Sequence, residues 1–94
     1  MQGKQKEEKH YIKVFGSIVK KHRKQLGKTI YLISAESSIA KSNWRELEVG
    51  LRKDINLSTF CKIAEGLEMK PYELLKELCE KLGEDFSFAD LAGN

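Results

Sequence analysis

The chain has 94 residues, of which 40% are hydrophobic and 33% charged, with 17 Lys plus Arg against 14 Asp plus Glu. That length closes one small core, which sets aside a large multi-site enzyme with its own cofactor fold. Charge is sorted along it: residues 1–24 carry eight Lys/Arg against two Glu, residues 25–53 five against three, and residues 54–94 four against nine, so a polyanion partner is expected on one side only.

Residues 1–10 contain no apolar residue after Met1 and read as a disordered basic arm, either a solvated tail or an added nucleic-acid contact. Order is expected from Tyr11. Phe15, Ile18, Val19, His22 and Leu26 then recur on one face of a first helix that Gly27 stops. Thr29 offers a hydroxyl cap to a short second helix with Ile30, Ile33, Ser34 and Ser37 inward. The longest unbroken apolar run, residues 30–33, is four residues long, where a membrane span needs about 20 and a secretory signal about 7–15. A soluble, unprocessed, cytoplasmic protein with no membrane partner is the expectation.

Ser37, Ser38, Ile39 and Ala40 spell a tight interhelical turn. The third helix follows at once, with Trp44 three residues before Leu47 and four before Glu48, and Gly50 closing it. Asn56 caps a fourth helix whose inner face reads Leu57, Phe60, Cys61, Ala64 and Leu67. Pro71 opens a fifth, striped by Leu74, Leu75, Leu78, Cys79 and Leu82 and ended by Gly83. Residues 11–83 form the domain. An acidic tail, residues 84–94, carries Phe86, Phe88 and Leu91 and docks either on the core or on a second subunit.

No strand alternation and no repeat occurs, so the fold class is all-α with five helices. Cys61 and Cys79 have no ligand-spaced partner and read as small core hydrophobes, and no cofactor or metal is expected. His10 and His22 lack a nucleophile, phosphate loop or metal spacing nearby, so no enzyme and no small-molecule substrate is expected.

Phe15-Gly16 with Arg23, Gly27-Lys28-Thr29, Ile33, Ile39-Ala40-Lys41-Ser42, Leu47-Glu48-Val49-Gly50, Leu57-Ser58-Thr59 and Lys62-Ile63-Ala64 with Leu67 follow one another at a familiar spacing. In this order they resemble the Cro and lambda-repressor type family, also called Xre-type regulators, over about Tyr11 to Leu75. The resemblance implies a five-helix lambda-repressor-like domain with a helix-turn-helix formed by helices two and three. It implies a structural ion pair between Arg23 and Glu48, which fixes the angle of the reading helix more than it adds net stability.

The third helix would then lie in the major groove of double-stranded DNA, with Lys41, Ser42, Asn43, Arg45 and Glu46 as base-contacting candidates. Lys41 suits the guanine acceptors and Glu46 a cytosine amine. Lys28, Thr29, Tyr31, Arg52 and Lys53 match in kind the residues that grip phosphates. Trp44 is expected as a core anchor. The chain departs from the family at Ile30, in place of a phosphate-binding Gln, and at Ser34, Ser38, Ala40 and Val49.

The implied function is a DNA-binding transcriptional regulator acting as a homodimer, with the fifth helix and the tail as its dimer surface. The rival is a protein-interaction module on the same fold, antitoxin-like or a regulator of another regulator, favoured by an apolar face on the second helix.

Overall fold

A computed structural model of the chain describes residues 2–52 and 54–91, with side chains from His10 onward. Among the described residues there are five α-helices, a closing 3-10 turn and no strand: α1 (Gln2–Gln25), α2 (Ile30–Ser37), α3 (Lys41–Glu48), α4 (Leu57–Gly66), α5 (Pro71–Leu82) and the turn Phe88–Asp90. No helix among them is long and apolar enough to cross a membrane.

The backbone of α1 is helical from Gln2, where the sequence reading placed a disordered arm over residues 1–10. Gln, Lys and Glu are strong intrinsic helix formers, and the lack of apolar residues argues against burial without arguing against a helix. Met1 and the side chains of residues 2–9 lie outside the described residues.

Burial follows the helical period. Phe15, Ile18 and Val19 of α1 meet Ile33 of α2, Trp44 and Leu47 of α3, Ile63, Ala64 and Leu67 at α4, and Leu74 and Leu78 of α5, and Ile12 of α1 is buried as well. Helix α1 packs on α3 and α5, α2 on α3 and α4, and α4 on α5. Gly16 permits the close approach of α1 and α3: a Cβ there would fall on the Leu47 carbonyl oxygen, so the end of α3 rests against bare α1 backbone.

Two inner faces differ from their sequence reading. On α4 the buried row is Ile63, Ala64 and Gly66, while Leu57 stands out from the first turn, beyond the reach of the neighbouring helices. On α5 only Leu74 and Leu78 are buried; Leu75 and Cys79 face outward, and Cys61 is half-buried, so the cysteines are not the core residues expected. The tail touches its own chain: the Phe88 ring meets Tyr11 of α1 edge-on at 5.1 Å and Phe86 at 4.9 Å. Residues 92–94 lie outside the described residues.

The α2–α3 turn is closed by Ser38 in the left-handed region, φ 58° and ψ 41°, with its N–H donating to the Ala35 carbonyl and that of Ile39 to Ser34. A Cβ makes that conformation unfavourable, so Ser38→Gly is expected to raise stability by about 1 kcal/mol. Thermal melts check it; an unchanged or lower Tm contradicts it.

The α1–α5 seam carries a polar clasp. Glu77 accepts from Lys21 Nζ at 2.5 Å and His22 Nε2 at 2.6 Å. Burial works against ionisation of Glu77, but the hydrogen bonds from Lys21 and His22 outweigh it and hold its pKa below the ordinary carboxylate value. A carboxylate depressed in the folded state contributes stability above its unfolded pKa, about 4.3 for Glu, and loses it as pH falls through the lower folded value. Denaturant titrations across that acid range are expected to slope less steeply in Glu77→Gln than in the parent. Equal slopes would deny the clasp any part in acid stability.

Candidate nucleic-acid interface

Helix α3 has eight residues and two unlike faces. Trp44 and Leu47 lie in the core with 0% and 3% exposure, and Glu48 is buried beside them. Lys41, Ser42, Asn43, Arg45 and Glu46 are all exposed on the other side, two cations against one anion. A helix this short has little stability of its own, so its orientation depends on what grips the buried face.

That grip is a hydrogen-bonded cluster around Glu48. Arg23 Nε donates to Glu48 Oε2 at 2.5 Å and Arg23 Nη2 to Oε1 at 3.0 Å, a two-pronged pair joining the end of α1 to the end of α3. The Trp44 indole N–H donates to the same Oε2 at 2.7 Å, and Arg23 Nη1 donates to the Lys28 carbonyl at 2.7 Å just before α2. One guanidinium therefore ties α1 both to α3 and to the connection that leads into α2. Its hydrogen bond to Glu48 raises the Arg23 pKa further, against the opposing effect of burial. Among the described residues no buried side-chain nitrogen or oxygen lacks a partner, so the cluster is fully satisfied. The bond from Trp44 escaped the sequence reading, although the four-residue spacing to Glu48 was its signal.

The starts of α2 and α3 come together at the surface. Tyr31 is 71% exposed, and the Lys41 ammonium stands over its ring, 5.8 Å from the centroid. Thr29 caps α2 by accepting from the Leu32 N–H at 3.1 Å, and its residue remains exposed. Helix α3 starts at Ala40 without a side-chain cap, leaving the first N–H groups of its exposed end open to an external acceptor.

No protein-family model and no curated protein matches the chain.

Lys28 does not join this surface as expected. Its ammonium binds Glu36 at 2.6 Å and Glu68 at 3.1 Å and points to the Gly66 carbonyl at 3.4 Å, which makes it a tie between α1–α2, α2 and α4. The hydrogen bonds that it donates to Glu36 and Glu68 raise its pKa. A phosphate would have to displace two carboxylates, so Lys28 leaves the phosphate-contacting set. Arg52 is half-buried in the connection after α3, and Lys53 lies outside the described residues. The candidate surface thus comprises the exposed row of α3, Thr29, Tyr31 and the flanking Arg52. Leu32, 44% exposed beside Tyr31, adds an apolar edge to it.

Proposed function

We propose that this chain is a sequence-specific, double-stranded DNA-binding transcriptional regulator, cytoplasmic, not an enzyme, and active as a homodimer. Helices α2 and α3 act as a helix-turn-helix, in the manner of the Xre-type regulators it resembles. The observation that carries this reading is the two-faced α3: an exposed row from Lys41 to Glu46 backed by the Arg23–Glu48–Trp44 cluster, which holds the helix rigid from behind. A reading helix needs such a support, because base recognition requires side chains held within a fraction of an ångström.

In this account Lys41 and Arg45 address groove acceptors, Ser42 and Asn43 offer short polar groups, and Glu46 selects for an amine donor. The Lys41 ammonium rests on Tyr31, which aims it before DNA arrives. Thr29, the Tyr31 hydroxyl and Arg52 face the strands beside the groove. Two such helices on a two-fold pair read half-sites about one DNA turn apart.

A protein-interaction module is favoured by one feature, the exposed Tyr31 and Leu32 on α2. Salt separates the two. Binding of the purified chain to random-sequence duplex DNA is expected to weaken log-linearly with salt, by a slope of about −0.9 per phosphate neutralised. No binding at low salt would reject the DNA reading, since an apolar protein interface alone leaves DNA unbound.

A further inference from the structure

The major groove presents hydrogen-bond donors and acceptors at every base pair but a single apolar group, the C5-methyl of thymine. An exposed ring brought into that groove therefore has one kind of apolar partner there. Tyr31 is such a ring. It belongs to the first turn of α2, is 71% exposed, and lies under the ammonium of Lys41, the first residue of α3, 5.8 Å from its centroid. A reading helix turns its N-terminal residues toward the base edges, so Tyr31 stands at the end of α3 that enters the groove. Ile30, the residue before it, packs against the core and leaves this place to Tyr31. Leu32, the residue after it and also exposed, is turned about 100° further round α2.

We infer that the ring of Tyr31 determines sequence specificity by taking the C5-methyl of a thymine beside the guanine that Lys41 addresses. The inference rests on the DNA reading above and adds to it a base contact made from α2. Distance fixes the place. The ring centre lies 5.8 Å from Lys41 Nζ, between one and two steps of about 3.4 Å along a DNA strand, so the methyl belongs one or two base pairs from that guanine. The two ends of Tyr31 then have separate roles. Its hydroxyl meets the strand at the rim and adds affinity for any sequence, whereas the ring gains only where a methyl displaces the water that covers it in the free protein. The ammonium above the ring holds both side chains in place beforehand, which reduces the freedom lost on binding. Because the group recognised is a methyl and not the rest of the base, 5-methylcytosine at the same place is read as thymine is.

The test removes single methyls from a duplex that the full chain has selected out of random sequence, replacing each thymine in turn by deoxyuridine. One thymine in each half-site is expected to lose about fourfold in affinity, the roughly 0.8 kcal/mol of one buried methyl. It should lie within two base pairs of the position at which Lys41→Ala loses discrimination, and the other thymines should change little. At that place a 5-methylcytosine duplex is expected to bind about fourfold more tightly than the cytosine duplex. Tyr31→Ala should bring both ratios to about one. Tyr31→Phe should keep them while weakening binding to all sequences alike, and Leu32→Ala should keep them too. Both positions are exposed, so circular dichroism should show the fold unchanged. Equal affinity for thymine and uracil duplexes at every position overturns the inference and leaves the DNA reading standing. A methyl effect that survives Tyr31→Ala, or is lost in Leu32→Ala, overturns it in the same way. A chain that selects no duplex at all ends the DNA reading, and the inference with it.

Discussion

Glu48→Ala is expected to lower folding stability by about 3–5 kcal/mol, the cost of breaking a buried ion pair from one side. The magnitude follows from what the carboxylate leaves behind. Arg23 loses two acceptors and the Trp44 indole its only one, at sites that water does not reach freely. Domains of this size are stable by about 5–15 kcal/mol, so the variant should be partly unfolded under mild stress.

The chain has a single tryptophan, and it is the one bonded to Glu48, so its fluorescence reports both the local change and global unfolding in urea. Removing both charges should hurt less than removing one: Arg23→Met with Glu48→Leu is expected to recover much of the loss. It should not recover DNA binding, because the tie from α1 to the Lys28 carbonyl is gone with the guanidinium. A loss under about 1 kcal/mol for Glu48→Ala would mean that the cluster is a surface ion pair in energetic terms.

The second large effect concerns recognition. Lys41→Ala is expected to remove up to about 1–3 kcal/mol of discrimination at one base pair, a factor of roughly 5 to 150, while binding to unrelated sequences changes little. Arg52→Ala is expected to weaken binding to all sequences alike and to reduce the salt slope by about 1. Competition assays with a panel of singly substituted duplexes distinguish these patterns. If both variants scale all affinities by one factor, the assignment of α3 to the groove fails.

Much of the architecture is legible in the chain because strong punctuation and helical periodicity agree. Thr29 and Asn56 cap as their side chains suggest, Pro71 opens α5, and Ile33, Ser34 and Ser37 form the inner face of α2. Periodicity gives the direction of a face but not its width. It therefore placed Leu57, Leu75 and Cys79 inside, although the neighbouring helices reach only as far as Ile63, Ala64, Leu74 and Leu78.

Charged residues are harder still, since a Lys-Thr pair at a helix start has the same local pattern whether the lysine meets phosphate or protein. Lys28 is settled by Glu36 and Glu68, eight and 40 positions away, which no local pattern reveals. Gly16 is similar: its need for a bare backbone arises from the Leu47 carbonyl, far along the chain. Arg23 and Glu48 were paired by resemblance, and the geometry adds the physical reason, a shared carboxylate that also serves Trp44.

The central claim, that the exposed row of α3 reads base pairs, is tested most directly by selecting binders from a pool of random duplex DNA. The account predicts enrichment of one motif with two-fold symmetry and half-sites about one helical turn apart, lost at one base pair in Lys41→Ala. A pool that shows no enrichment after repeated rounds at low salt would contradict it.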